Sequence, residues 1–180
     1  MQRILILGGG VGGTLTANLL VKKLRGRIDR GEVEIMVVDA TGAHVYQPGF
    51  MYIAMGGERA AKLHRPERGL LDPRVGLVVG EVASVDETAR MVHLVDGERI
   101  AYDYLVLATG SRIVPDDIDH FTTEAYHFYT AEAAARLRSA LDAFDGGRIV
   151  VGIAGMPYKC PPAPLEVAFL IEAELRERGI

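Results

Sequence analysis

An α/β fold around a parallel sheet is what the 180 residues predict, and three observations carry the prediction. Apolar runs of strand length alternate with stretches of helical period. The first run, Ile4-Leu5-Ile6-Leu7, is apolar without alternation, as a strand covered on both faces requires. The 21 glycines fall where strands would hand over to helices, most densely in Gly8-Gly9-Gly10-Val11-Gly12-Gly13.

In chain order, residues 3–7 form a first strand. Residues 14–24 form a helix, with Leu15, Leu19, Leu20 and Leu24 at helical spacing and Gly26 as its stop. Residues 33–38 are a second, β-branched strand ending at Asp39, which completes a βαβ unit with a right-handed crossover. Residues 41–73 show no sustained period. Pro48, Gly49, Gly56, Gly57, Pro66, Gly69 and Pro73 mark turns there, with a short helix over 59–63. So long a connection either serves function or contains short elements of its own.

Strands follow at 75–79, 81–85, 91–95 and 99–101, and the Asp96-Gly97 pair signals a hairpin. Residues 104–108 are a further apolar strand that runs into Thr109-Gly110. A helix over 130–144 presents Ala133, Leu137, Leu141 and Phe144, and Gly146-Gly147 ends it. Residues 148–153 read as another buried strand, and residues 163–178 as a helix whose apolar face is Leu165, Phe169, Leu170, Ala173 and Leu175. The chain thus divides into a first domain over 1–112, itself incomplete, and the start of a second over 113–180. A lone strand and helix cannot cover their own apolar faces, so the expectation is the N-terminal portion of a longer protein.

Composition excludes several classes of function. With 20 Lys and Arg against 24 Asp and Glu the net charge is −4, and no long basic run offers a nucleic-acid surface. A 49% hydrophobic content rules out a disordered chain, and a single cysteine cannot form an internal disulfide. No segment has the roughly 18 apolar residues that span a bilayer. The N-terminal run lacks the features of a signal peptide, so the expected compartment is the cytoplasm. His44, His64, His93, His120 and His127 have no metal-ligand spacing, and no G-x-S-x-G elbow suggests hydrolysis.

The glycine run matches G-x-G-x-x-G and sits between a strand and a helix, which makes it a Rossmann-like dinucleotide loop. Gly8 allows the tight turn, Gly10 lets the backbone approach a pyrophosphate, and Gly13 lets the helix pack on the strand. The helix N-terminus offers free N–H groups and its positive dipole end to phosphate. Asp39 is placed to accept hydrogen bonds from ribose hydroxyls. The motif alone does not separate NAD from FAD.

The strand Tyr104-Leu105-Val106-Leu107-Ala108 continues as Thr109-Gly110-Ser111-Arg112. It resembles the Ala-Thr-Gly strand end of two-dinucleotide-binding flavoproteins, in which a three-stranded insertion precedes that strand. Residues 81–101 lie where the insertion belongs, and the resemblance implies FAD as the cofactor.

Cys160 lies in Tyr158-Lys159-Cys160-Pro161-Pro162-Ala163-Pro164-Leu165-Glu166. Pro161 and Pro162 suit the first positions of a helix, where a missing N–H costs nothing. A helix N-terminus and the adjacent Lys159 both favour thiolate over thiol.

With these pieces in place, the chain resembles the sulfide:quinone oxidoreductases and the flavoprotein subunit of flavocytochrome c sulfide dehydrogenase. The glycine loop with Asp39, the Thr109-Gly110 strand end and the Cys160-Pro161-Pro162 segment carry the resemblance, together with His44-Val45-Tyr46-Gln47-Pro48-Gly49-Phe50. It implies noncovalent FAD held by Gly8, Gly10, Val11, Gly12, Gly13, Asp39, Ala40, Pro48, Val82, Thr109 and Gly110. It also implies that Cys160 is one of a redox-active pair beside the flavin. Sulfide attacks that pair, a persulfide forms, and two electrons pass through the flavin C4a to quinone or haem. Glu166 matches an acid that handles protons in the family, although favourable interaction with the helix dipole also explains a first-turn carboxylate.

Sulfide and quinone are then the implied partners, with peripheral membrane association of the full-length protein and a homo-oligomer compatible with it. Two departures stand out. The region His127-Phe128-Tyr129-Thr130 lacks the cysteine that some members bond to FAD, and the second redox cysteine belongs to a C-terminal half not contained here. The 180 residues alone are therefore expected not to turn over. Arg65 and Arg68 could face a phosphate or quinone headgroup, or lie in a solvated loop. The rivals are a type II NADH:quinone dehydrogenase, for which Gly152-Ile153-Ala154-Gly155 lacks the full second fingerprint, and a non-catalytic dinucleotide-binding domain.

Overall fold

A computed structural model describes residues 1–180, the side chain of Asp116 excepted. Its contacts divide the chain into two units, Met1–Val45 with His64–Arg112, and Tyr46–Leu63 with Ile113–Ile180. A single division at residue 112, as the sequence suggests, puts Tyr46–Leu63 in the first domain, whereas the contacts group it with the second unit. The segment belongs to the second unit because its Met51 and Met55 pack into that unit's core.

The first unit contains, in order, β1 (Gln2–Leu7), α1 (Val11–Asp29), β2 (Val33–Asp39), β3 (Ala43–Val45), β4 (His64–Pro66), β5 (Val75–Val79), β6 (Val82–Asp86), β7 (Met91–Leu94), β8 (Arg99–Ala101) and β9 (Tyr104–Leu107). Four strands form a parallel sheet in the order β5-β2-β1-β9. β6, β7 and β8 form an antiparallel meander between β5 and β9 in sequence. The missed elements β3 and β4 are three residues each and pair only with each other.

Alternation along the strands sends side chains to two cores. Ile6, Ile35 and Val37 meet Ala17 and Val21 of α1, with Leu20, Leu24 and Ile28 packed around them. Leu5, Leu7 and Val38 instead meet Val92, Leu94 and Ile100 of the meander. The sheet is therefore covered by α1 on one face and the meander on the other. Leu15 and Leu19, grouped by spacing with the core leucines, lie exposed on the far side of α1. α1 also runs through Gly26 to Asp29 and turns only at Gly31, whose φ is 70°. A mid-helix glycine costs about 1 kcal/mol, and Ile28, one turn further on, packs against the core.

The second unit holds α2 (Phe50–Ala54), α3 (Phe121–Glu124), α4 (Ala131–Asp142) and α5 (Ala163–Glu177). Thr130 caps α4 by accepting the Ala133 N–H at 3.2 Å. Met51, Leu141, Ala163, Val167 and Ile171 form the core, so the buried stripe of α5 is not the one its leucines suggested. Leu165 and Phe169 are 66% and 72% exposed. Arg138 on α4 forms a two-pronged pair with Glu174 on α5, at 2.8 and 2.6 Å. That guanidinium holds the Glu174 carboxyl below the usual carboxylate range.

Residues 148–153 form no strand, contrary to the expectation. Val150 is 81% exposed there. A strand takes its hydrogen bonds from neighbours, and among the described residues no strand lies beside this run. Its apolar content alone cannot create one.

Candidate functional site

The strand order reverses between β1 and β9, and in open α/β sheets ligands bind outside the carboxyl ends of the strands at such a point. Gly8 follows β1 and Ala108-Thr109-Gly110 follow β9, so the glycine loop and the second strand end are neighbours. A Cβ on Gly8 would lie 2.4 Å from the Ala108 carbonyl oxygen and 3.1 Å from the Thr109 Cα, and its φ is 105°. Only glycine fits both demands. Val11, Gly12 and Gly13 begin α1, where the first N–H groups have no acceptor within the helix. A Cβ on Gly10 would meet nothing within 4 Å, so this face of the loop is open to a group approaching the backbone.

Asp39 ends β2 beside the same loop. Its Oδ2 accepts the Gly9 N–H at 2.8 Å. Its Oδ1 accepts the N–H groups of Thr41 and Gly42 at 2.9 and 2.8 Å and the Thr41 hydroxyl at 3.0 Å. Partial burial pushes this carboxyl up, but the three N–H donors and the hydroxyl outweigh it and hold it below the ordinary range. Asp39 therefore shapes the loop. Asp39→Ala is expected to weaken dinucleotide binding by about 1–3 kcal/mol, the worth of charge-assisted hydrogen bonds. Flavin titration of the apo-protein checks this, and unchanged affinity would confine Asp39 to shaping the loop. Because its folded value is lowered, the carboxylate's contribution is complete above the ordinary carboxylate range and is lost as pH falls through that lowered value.

The remaining expected contacts are scattered. Ala40 is exposed just after Asp39. Val82 opens β6 and packs half-buried against Leu5, Leu7 and their neighbours. Pro48 lies exposed in the second unit, on a single 3-10 turn over Gln47–Gly49. Arg68 does not wait for a phosphate: its guanidinium donates to the carbonyls of Val75, Asp72 and Leu71 at 2.6, 2.7 and 3.2 Å. Arg65 donates to the His64 carbonyl at 2.8 Å.

Cys160 and Glu166 are exposed in the second unit. The helix starts later than its prolines suggested, at Ala163, with Pro164 rather than Pro161 in the first turn. Cys160 instead occupies a left-handed backbone turn, with φ of 60°. Its carbonyl accepts the Ala163 N–H at 2.9 Å. The turn is held from outside as well: the Tyr129 hydroxyl donates to the Lys159 carbonyl at 2.6 Å, and Lys159 Nζ donates to Gln47 Oε1. Burial pushes the Tyr129 phenol up, and the charges of Cys160 and Tyr158 add to the effect. A non-glycine residue at positive φ is uncommon and collects at functional sites. Glu166 stands in the first turn of α5.

Sequence reasoning missed the groups beneath the glycine loop, Thr14 and Glu67, which are 7% and 0% exposed. Thr14 directly follows the last glycine of the fingerprint, which was a usable signal; Glu67, in an aperiodic stretch, gave none.

Comparison with known proteins places this geometry. The family described as pyridine nucleotide-disulphide oxidoreductase matches residues 2–156. The chain is 24% identical over 182 residues to the mitochondrial sulfide:quinone oxidoreductase of Mus musculus, covering 98% of this chain and 39% of that protein. It is 31% identical over 201 residues to the chloroplastic/mitochondrial alternative NAD(P)H-ubiquinone oxidoreductase C1 of Arabidopsis thaliana, covering 99% of this chain and 37% of that one. Its fold matches the X-ray structure of the sulfide:quinone oxidoreductase from Aquifex aeolicus with a TM-score of 0.78 at 23% identity, over 100% of this chain and 41% of that one. The chain spans about two-fifths of the length of these relatives. With the dinucleotide loop, the parallel sheet and the inserted meander in that order, the chain belongs to the pyridine nucleotide-disulphide oxidoreductase family.

Proposed function

We propose that this chain is the FAD-binding part of an oxidoreductase that takes two electrons from sulfide at a cysteine pair and passes them to a quinone. The observation that carries the reading is the exposed Cys160, fixed in a left-handed turn ahead of α5. Gly8, Gly10, Val11, Gly12, Gly13, Asp39, Ala40, Thr109 and Gly110 would hold the dinucleotide, with Pro48 and Val82 as further contacts. The open space at Gly10 and the unbonded first N–H groups of α1 fit a pyrophosphate. Bound FAD supplies two-electron acceptor chemistry that side chains lack.

Cys160 contributes one sulfur of a disulfide, its partner coming from outside these 180 residues. Attack by HS⁻ breaks that S–S bond and forms a new one, the persulfide. The displaced sulfur leaves as a thiolate with the electron pair. The persulfide forms as S–S–H, and Glu166, exposed in the first turn of α5, takes up its proton when that group ionises. Association with a membrane surface on the cytoplasmic side and a homo-oligomer belong to the same proposal. Among the described residues no helix is long and apolar enough to cross a membrane.

Acid denaturation of the purified, flavin-loaded full-length protein is expected to release free FAD. Colourless protein, or flavin that stays on the polypeptide, would overturn noncovalent FAD. In the full-length protein, anaerobic sulfide is expected to bleach the flavin band, and NADH to leave it. The 31% identity to an NAD(P)H-ubiquinone oxidoreductase motivates the second reading, which bleaching by NADH alone would establish.

A further inference from the structure

We propose that Glu67 is a positioning residue for the dinucleotide loop, fixing the Gly9 peptide through Thr14 and His44 and so setting the affinity for the cofactor. The proposal deepens the dinucleotide reading and rests on it.

Glu67 is fully buried. Its Oε1 accepts the Thr14 hydroxyl at 2.6 Å, and its Oε2 lies 3.1 Å from His44 Nδ1. Both partners also reach the loop. His44 Nδ1 is 3.0 Å from the Gly9 carbonyl oxygen, and Thr14 Oγ1 is 2.9 Å from the carbonyl oxygens of Gly9 and Gly10. A threonine hydroxyl carries one hydrogen. The short contact to Glu67 claims it, which leaves the single His44 Nδ1–H, shared between Glu67 Oε2 and the Gly9 carbonyl, to serve the loop. Glu67 thus orients both side chains at once.

On the other side, the Gly9 N–H is held by Asp39. A Cβ on Gly9 would stand 3.0 Å from Asp39 Oδ2 and 3.0 Å from Glu67 Cδ. One residue is therefore held on both sides, its N–H by Asp39 and its C=O by the side chains that Glu67 orients, directly before the glycine that opens α1. Burying a carboxylate is costly. An apolar side chain would fill the same space at less cost, but it would leave Thr14 and His44 free to turn. What the carboxyl adds is orientation of the loop.

The test compares Thr14→Val and Glu67→Leu with the conservative Thr14→Ser and Glu67→Gln. FAD affinity is read by equilibrium titration, and amide hydrogen exchange over residues 9–14 is read without FAD. Thr14→Val and Glu67→Leu are expected to weaken FAD and speed loop exchange by about tenfold each, the usual worth of a charge-assisted hydrogen bond. Thr14→Ser should stay within about threefold, since it keeps the hydroxyl, and Glu67→Gln should fall between, since its amide oxygen can accept from Thr14 while its NH2 cannot accept from His44. If Glu67→Leu fails to fold, the shape-conserving Thr14→Val carries the comparison. Unchanged affinity, or faster exchange without weaker binding, overturns the proposal. Losses shared equally by the conservative variants also overturn it, because they would mark a packing role. A wild-type chain that takes up no FAD, with loop exchange still following the expected pattern, overturns the dinucleotide reading and upholds the grip on Gly9.

Discussion

Gly13→Ala is expected to cost at least about 3 kcal/mol of stability and to abolish FAD binding. The added Cβ would lie 1.8 Å from the Gly8 carbonyl oxygen, 3.0 Å from its carbon and 3.3 Å from Ile6 Cγ2. Two of these atoms are backbone, so no side-chain rotation relieves the clash. Either α1 lifts from β1, opening the Ile6, Ala17 and Val21 core, or the loop unwinds. Gly10→Ala separates folding from binding. Its Cβ meets nothing within 4 Å, and its φ of −69° suits any residue. That variant should melt within about 1 kcal/mol of the wild type and still bind FAD poorly, because the methyl occupies the approach to the loop. Thermal melts and flavin titration of both variants check the pair. A Gly13→Ala protein of normal stability would show that the packing of α1 on β1 has been misjudged.

Cys160→Ser, in the flavin-loaded full-length protein, is expected to leave FAD bound and to abolish its bleaching by sulfide. A serine hydroxyl cannot form the S–S bond that the proposed step breaks and remakes. Dithionite should still bleach the flavin, since that reagent needs no thiol relay. The variant's fold should survive, because the side chain is exposed and the turn is closed by backbone and by Tyr129. Stopped-flow absorbance in the flavin band distinguishes the outcomes. Normal bleaching by sulfide would leave Cys160 without a redox role.

Local signals in the sequence were enough for the parallel strands. Residues 3–7, 33–38 and 75–79 read as continuous apolar runs because both faces of that sheet are covered, and they lie within or coincide with β1, β2 and β5. The signals misled where burial depends on distant partners. Leu15 and Leu19 share the spacing of Leu20 and Leu24, yet only the latter two face the sheet. Residues 148–153 have the composition of a strand and no neighbour to make one. In α5 the small Ala163 and the β-branched Val167 and Ile171 fill the interior, while the larger Leu165 and Phe169 point outward. The glycine loop and Asp39 were visible as a motif. Glu67 was not, because its link to Thr14 spans 53 positions and exists only after folding.

The strand order also has a consequence in time. Leu7 of β1 pairs with Val38 on one side and Leu107 on the other. The first partner arrives early and the second comes late in the chain. At a synthesis rate of about 5–20 residues per second, β1 waits roughly 5–20 s with one edge unpaired before β9 emerges. Gly8 is closed against Ala108 only when β9 docks, so the ligand loop is among the last parts of its unit to take shape. β1, α1 and β2 are therefore the natural nucleus, and β9 contributes long-range contacts that slow the final step. A ligand that spans both strand ends would act as a clamp on this late joint, so loading during or soon after synthesis would shorten the life of the open-edged intermediate.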